Sequence, residues 1–200
     1  FHHPYGVKSL ECLNSEVYFV DFHNELYGVK NGKIEKEDYP NYFYNIQSGM
    51  DGNLYGMTSS KIYCRKDGVW GKMDMGEQII KGLYHYCMDF SVRAGDDLIV
   101  GTNMGLFEYA DGNLYSSFTS IGEVVDDICF TAVYVHGDSL SYAGTNSGVI
   151  YRGKKGEWEN ISPDGLGVNA PVSSFGFDEN NTLYVSTLGE GIYFRTGEEW

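Results

Sequence analysis

Leu183-Tyr-Val-Ser-Thr187, followed by Ile192-Tyr-Phe-Arg195 and then by Trp200, is the stretch whose reading decides the fold. Four earlier segments can be laid over its first part: Val17-Tyr-Phe-Val-Asp21, Leu54-Tyr-Gly-Met-Thr58, Leu98-Ile-Val-Gly-Thr102 and Ser141-Tyr-Ala-Gly-Thr145. Their last residues lie 37, 44, 43 and 42 apart along the chain. A repeat of roughly 40 residues is one supersecondary unit that buries its apolar faces only by stacking on its neighbours.

Each anchor is followed by a second apolar run: Leu26-Tyr-Gly-Val29, Ile62-Tyr-Cys-Arg65, Leu106-Phe-Glu-Tyr109, Val149-Ile-Tyr-Arg152 and Ile192-Tyr-Phe-Arg195. A Gly-containing turn comes next, as in Lys30-Asn-Gly-Lys33, Lys66-Asp-Gly-Val69 and Ala110-Asp-Gly-Asn113, and then a large apolar residue: Ile34, Trp70, Leu114, Trp158 or Trp200. Asn-Gly and Asp-Gly supply the positive φ angles of tight hairpins, so a third strand follows the second. Upstream of each anchor lies one more apolar segment: Lys8–Cys12, Phe43–Ile46, Met88–Val92, Phe130–Tyr134 or Val172–Phe175. Four short strands per repeat, with 26 glycines against 4 prolines, predict an all-β chain of hairpins stacked radially into a β-propeller of about five four-stranded antiparallel blades. Only Met75 to Leu83 reads as a short helical turn.

Composition narrows the partners. The chain has 200 residues, enough for one domain with a sizeable core, and carries 14 Lys+Arg against 28 Asp+Glu, a formal charge of −14. That charge opposes both phosphate neutralisation and attraction to anionic lipid, so no nucleic acid is expected. No apolar run approaches the ~20 residues of a membrane span, and no signal-peptide pattern opens the chain, so no membrane insertion is expected either. The chain opens at Phe1 rather than Met, which reads as a processed form or an excised piece. Cys12, Cys64, Cys87 and Cys129 lie singly, without zinc-ligand spacing; buried thiols and blade-to-blade bridges both fit them. Asn160-Ile-Ser162 and Asn180-Asn-Thr182 match the glycosylation pattern, which Asn-rich turns also produce by chance.

The pattern LY-x-G/S-T, then G-hydrophobic-Y-x-R, then D-G-x-W resembles the repeats of the two-component-regulator propeller family. It is similar, at a greater distance, to sialidase-like and Kelch-like propellers, although Asp67-Gly-Val-Trp70 lacks the paired Ser and Thr of the sialidase Asp-box. The resemblance spans nearly the whole chain and implies blade architecture rather than an activity. It also implies a place outside the cytoplasm, periplasmic, cell-surface or secreted, and a sensor or adhesion role. The expected blades are 6–38, 42–74, 87–119, 128–162 and 170–200 of a single propeller domain, 1–200. Phe1 to Tyr5 is a poor closing strand, so the chain reads either as five repeats of a longer parent or as a five-bladed ring with an imperfect last blade.

In propellers as a family, two sets of loops reach the face around the central channel. The loops from outer to next inner strand carry His2, His3 and Tyr5; Tyr39, Asn41 and Tyr42; Tyr84, His85 and Tyr86; Asp126 and Asp127; and Asn169. Flat rings with polar tips suit stacking on a sugar or gripping a peptide, which makes Tyr39, Tyr42, Tyr84, His85, Tyr86, Asp126 and Asp127 the candidate ligand-binding residues. Early inner-strand positions Lys8, Asn45, Asp89, Ala132 and Ser174 are candidates to line the channel. For Asp89, two roles stay open: a general acid with a desolvation-raised pKa, or an acceptor for backbone amides of a neighbouring blade.

The leading expectation is a non-catalytic propeller that binds a protein, peptide or carbohydrate ligand at the channel face. The alternatives are a carbohydrate-active enzyme, a carbohydrate-binding lectin and a purely structural array. An enzyme of the glycoside-hydrolase type needs two carboxylates about 5–9.5 Å apart, for which Asp89 with Asp126 or Asp127 is the weak nomination and Asp21 a distant third. Arg65, Arg152 and Arg195 recur at one place in the third strand of three blades, which points to a structural role rather than an arginine grip on a substrate. Without GxGxxG, P-loop, GxSxG or HExxH patterns, no cofactor and no metal are expected, and His2 and His3 read as a fortuitous pair.

Overall fold

The structure is a computed structural model that describes residues 5–73, 87–93, 97–111, 113–116, 129–137, 140–154, 156–164 and 170–200. All the regular structure among them is β, in five antiparallel sheets whose strands pair in chain order. Blade 1 holds β1 (Val7–Leu13), β2 (Glu16–Asp21), β3 (Leu26–Lys30) and β4 (Lys33–Lys36). Blade 2 holds β5 (Asn45–Ser48), β6 (Leu54–Met57), β7 (Ile62–Lys66) and β8 (Val69–Lys72). Blade 3 holds β9 (Cys87–Val92), β10 (Leu98–Thr102), β11 (Gly105–Ala110) and β12 (Asn113–Ser116). Blade 4 holds β13 (Phe130–His136), β14 (Leu140–Thr145), β15 (Ile150–Lys154) and β16 (Glu157–Asn160). Blade 5 holds β17 (Val172–Phe177), β18 (Leu183–Thr187) and β19 (Gly191–Arg195), with a single bridge from Thr196 to Glu199 in the outermost place. Blades 1 and 2 form one compact unit and blades 3, 4 and 5 a second. The helical turn expected over 75–83 lies outside the described residues.

The anchors recur because each locks the turn after its strand. Thr58 Oγ1 accepts the Lys61 N–H at 2.9 Å, Thr102 Oγ1 the Met104 N–H at 3.1 Å and Thr145 Oγ1 the Val149 N–H at 3.0 Å. Thr187 donates to the Gly191 carbonyl at 3.0 Å. The outer hairpins turn as Asn-Gly and Asp-Gly dictate, with Asn31 and Gly32 at φ 49° and 74° and Asp67 and Gly68 at 50° and 80°.

Packing within each unit runs from one blade to the next. In the first unit Tyr18, Val20 and Leu26 of blade 1 meet Phe43, Ile46 and Tyr63 of blade 2, with Trp70 laid against them. In the second, Ile99 and Leu106 meet Phe130, Val133 and Ala143, and Tyr142 and Ile150 meet Val172 and Val185. The outer-strand tryptophans therefore pack back on the preceding blade, and Trp200 fixes itself by donating Nε1–H to the Ile161 carbonyl at 2.6 Å. Close approach needs small residues here: a Cβ on Gly144 would collide with the Val172 side chain of the next blade.

Charged links cross the same seams. Arg65 Nη2 reaches Glu37 Oε2 at 3.2 Å and Nη1 reaches Tyr18 Oη at 3.1 Å. Arg152 reaches Glu198 at 3.0 Å, beside Arg195 on the same carboxylate at 2.5 Å. Arg65 and Arg152 thus tie blade to blade, while Arg195 bonds within its own blade. Buried Arg93 donates to Glu108 at 2.9 Å and to Ser141 of the next blade at 2.6 Å.

The inner strands carry a recurrent irregularity. In blades 1, 3, 4 and 5 the pairing skips one residue, leaving Lys8, Met88, Thr131 and Ser173 without a partner across the ladder. A bulge of this kind re-aims the extra side chain out of the regular alternation. In blade 2 the corresponding residue is Tyr44, just ahead of the first paired residue, Asn45.

Candidate functional site

The bulge at Lys8 and the chain leading into β5 set up the site in the first unit. A groove of about 560 Å³ is lined by Tyr5, His23, Asn24, Glu25, Tyr42 and Tyr44. Tyr5 comes from the chain entering β1, Tyr42 and Tyr44 from the approach to β5, and His23, Asn24 and Glu25 from the β2–β3 turn.

That turn is shaped by Asp21, which stands where the other blades have Thr. Its Oδ1 accepts the N–H of His23 and of Glu25, each at 2.9 Å, while its backbone carbonyl takes the Asn24 N–H at 2.9 Å. Asn24 adopts φ 64°, a left-handed conformation Asn tolerates better than most residues. Three polar side chains are thereby presented in succession. Asp21 itself is fully buried beneath them, with His23 Nδ1 3.9 Å from its Oδ2.

The aromatic walls are built by edge contacts. The Tyr5 and His23 rings meet T-shaped at 4.3 Å, and Tyr39 stands edge-on to Tyr42 at 6.4 Å. Lys8, aimed by its bulge, puts Nζ 4.3 Å from the centre of the Tyr44 ring and donates to Asn24 Oδ1 at 2.7 Å. Burial lowers the Lys8 pKa. Glu25 accepts from Lys36 Nζ at 2.6 Å and from Tyr27 Oη at 2.8 Å, and the Lys36 bond, then the Tyr27 bond, hold its carboxyl below the usual range. Glu25 is thus an anion committed to its neighbours rather than a proton donor.

Of the residues nominated from sequence, Tyr5 and Tyr42 line the groove. Tyr39 is half-buried over the blade 1–blade 2 core, where burial raises its pKa, and supports Tyr42 from behind. Asn41 caps the loop by accepting the Tyr42 N–H at 3.0 Å. His2, His3, Tyr84, His85, Tyr86, Asp126, Asp127 and Asn169 lie outside the described residues. Tyr44, His23, Asn24 and Glu25 were not nominated; the acid at the Thr position of the first repeat is the signal that marks their turn as different.

Asp89 accepts the Phe90 N–H and, across the seam, the Val133 N–H of blade 4, each at 2.9 Å. Ser9 of blade 1 takes the equivalent N–H of blade 2, that of Ile46, at 3.1 Å. Ser9, rather than Lys8, shares the register of Asn45, Asp89, Ala132 and Ser174. Asp89 therefore occupies a position that joins neighbouring inner strands. Cys64 and Cys87 are buried, Cys129 is half-buried and Cys12 is exposed; burial pushes the Cys87 thiol up to about 11. Among the described residues no three His, Cys, Asp or Glu side chains are grouped to hold a metal ion, and no helix is long and apolar enough to cross a membrane.

No family model and no curated protein matches the sequence. Solved structures do match. The extracellular domain of a protein described as a hybrid two-component system from B. thetaiotaomicron superposes with a TM-score of 0.74 at 16% identity, over 97% of this chain and 28% of that one. The chain has the β-propeller fold. Virginiamycin B lyase from Staphylococcus aureus gives a TM-score of 0.68 at 16% identity, covering 98% of this chain and 71% of the lyase. YCF48 bound to the D1 peptide gives 0.68 at 13%, covering 96% and 64%. This chain thus spans little more than a quarter of the first structure, and the likeness to regulator propellers holds at the level of the fold.

Proposed function

We propose that this propeller is a non-catalytic ligand-binding module of the sensor or adhesion type, and that the tyrosine groove of blades 1 and 2 is its binding site. The observation that carries the reading is the exposure of Tyr5, Tyr42 and Tyr44 around one groove whose remaining wall is polar. Exposed aromatic rings gathered beside hydrogen-bonding groups suit a ligand that is flat and apolar on one side and polar at its rim. A pyranose ring and an extended peptide both have that character, and a peptide is what YCF48 holds in its structure. Glu25 is saturated by Lys36 and Tyr27, and Asp89 by two amides, which weighs against the pair of reactive carboxylates a glycosidase requires. An extracytoplasmic location, periplasmic, cell-surface or secreted, fits the extracellular domain among the similar structures. Tyr84, His85, Tyr86, Asp126 and Asp127 are proposed as additional ligand contacts.

Parallel glycan and peptide arrays test the reading. Selective binding by the chain should fall at least about tenfold in a Tyr42→Ala, Tyr44→Ala variant, since stacked aromatic contacts are each worth about 1 kcal/mol or more. A Tyr84→Ala, His85→Ala, Tyr86→Ala variant reports on the additional contacts. Binding unchanged by the Tyr42 and Tyr44 substitutions would remove the groove from the function.

A further inference from the structure

Most charged groups around the tyrosine groove already have partners within the chain. Both oxygens of Glu25 are taken, Oε1 by Lys36 Nζ and Oε2 by Tyr27 Oη. Asp21 is buried beneath the turn, where its Oδ1 accepts two backbone N–H groups. The side-chain oxygen of Asn24 accepts from Lys8.

Lys8 is the exception. The β1–β2 ladder skips it between Val7 and Ser9, and its exposed side chain reaches over the Tyr44 ring. Its partners among the described residues are neutral, the Asn24 oxygen at 2.7 Å and the Tyr44 ring centre at 4.3 Å. Lys30 and Lys36 of the same blade, by contrast, each hold a carboxylate at 2.6 Å. An ammonium has three N–H donors, so Lys8 keeps at least one of them open to a ligand. In a chain of formal charge −14, a cation without a carboxylate partner at the rim of an aromatic groove selects for a ligand of opposite sign.

We infer that the groove takes an acidic carbohydrate, a hexuronate whose ring lies against the tyrosine walls and whose carboxylate accepts a hydrogen bond from Lys8 Nζ. The inference rests on the groove being the binding site, as proposed above. Two features favour a uronate over an acidic peptide. The groove's volume of about 560 Å³ is that of a small-molecule site rather than of the longer path an extended peptide follows. The cation and an aromatic wall are also in direct contact, and a uronate carries its carboxylate on the same ring that stacks. One rigid unit then meets both, whereas a peptide has to immobilise an apolar side chain and a flexible acidic one separately.

An array of galacturonate, glucuronate and mannuronate oligosaccharides, each printed beside its methyl ester, provides the test, since esterification removes the charge and keeps the ring. The chain should hold an acid at least about tenfold more tightly than its ester, the scale of one charge-assisted hydrogen bond. Added salt should narrow that difference, because Lys8 is exposed. Lys8→Met should bring the acids down to the level of the esters, and Lys8→Arg, which restores the charge, should recover the difference. Acids and esters held equally, with both lost in the Tyr42→Ala, Tyr44→Ala variant, overturn the inference and leave the groove as the binding site. A preference for acids that survives Lys8→Met overturns it too. So does retention of neither form, and the neutral glycan and peptide arrays then decide separately whether the groove binds. A peptide of alternating tyrosine and glutamate, held through Lys8 more tightly than any uronate, overturns the assignment to carbohydrate.

Discussion

Replacing Glu108 by alanine removes the carboxylate that faces Arg93 in the seam between blades 3 and 4. Both side chains are almost fully buried, and the guanidinium reaches Glu108 at 2.9 Å and Ser141 at 2.6 Å. A buried charge that loses its partner costs about 3–5 kcal/mol, because the remaining ion has neither water nor counter-charge. The unfolding constant in urea should therefore rise by about two to three and a half orders of magnitude, with a slope against denaturant close to that of the wild type. The loss should be nearly the same at low and high salt, since screening acts weakly on groups removed from solvent. Replacing both residues, Arg93→Met with Glu108→Leu, should recover most of it, as an apolar pair of similar volume no longer has an ion to desolvate. A Glu108→Ala cost below about 1 kcal/mol, or a double variant no more stable than the single, would refute the claim that this pair acts as a desolvated unit.

Asp89→Ala should cost about 2 kcal/mol in the same assay by stripping the acceptor from the buried Val133 amide, while Asp89→Asn, which keeps one acceptor oxygen, should cost about half that. An equal cost for both would mean that the amide bond is not what Asp89 contributes. Asp178, at the turn before β18, has its pKa lowered first by the backbone N–H of Thr182. A depressed folded pKa adds stability above the unfolded value and loses it as pH falls through the folded one, so the urea midpoint should drop on acidification below about pH 4. That drop should be smaller in Asp178→Asn; an identical acid response would remove Asp178 from the account.

Much of the fold was legible because the repeated residues perform tasks that only a few side chains can do. A Thr or Asp at the end of each of the five middle strands is there to hold the following turn, and the Asn-Gly and Asp-Gly of blades 1 and 2 are there to supply positive φ, so spacing and chemistry agree. The arginines were legible for the same reason: recurrence at one strand position reads as architecture, and Arg65 and Arg152 do tie blades together. The outermost strand of blade 5 was less legible. Thr196-Gly-Glu-Glu199 followed by Trp200 resembles the turn and tryptophan of the other repeats, yet it makes one bridge and a side-chain bond.

The groove was only half legible, and the reason is a matter of register. Tyr5 and Tyr42 sit in loops and could be nominated by position, but Lys8 is the residue the ladder skips at the start of β1, and it meets Tyr44, which stands just ahead of the first paired residue of β5. A one-residue bulge leaves no mark in a single strand's composition, and its effect is to turn a side chain that alternation would send into the seam. Asp21 gives the second lesson. Substituting Asp for the recurrent Thr keeps the turn's hydrogen bonds while a longer anchor presents His23, Asn24 and Glu25 together. Departures from a repeat whose structural purpose is known are therefore the better guide to a candidate site than its aromatic content, and Asp21, in place of the recurrent Thr, carries the turn that lines the groove.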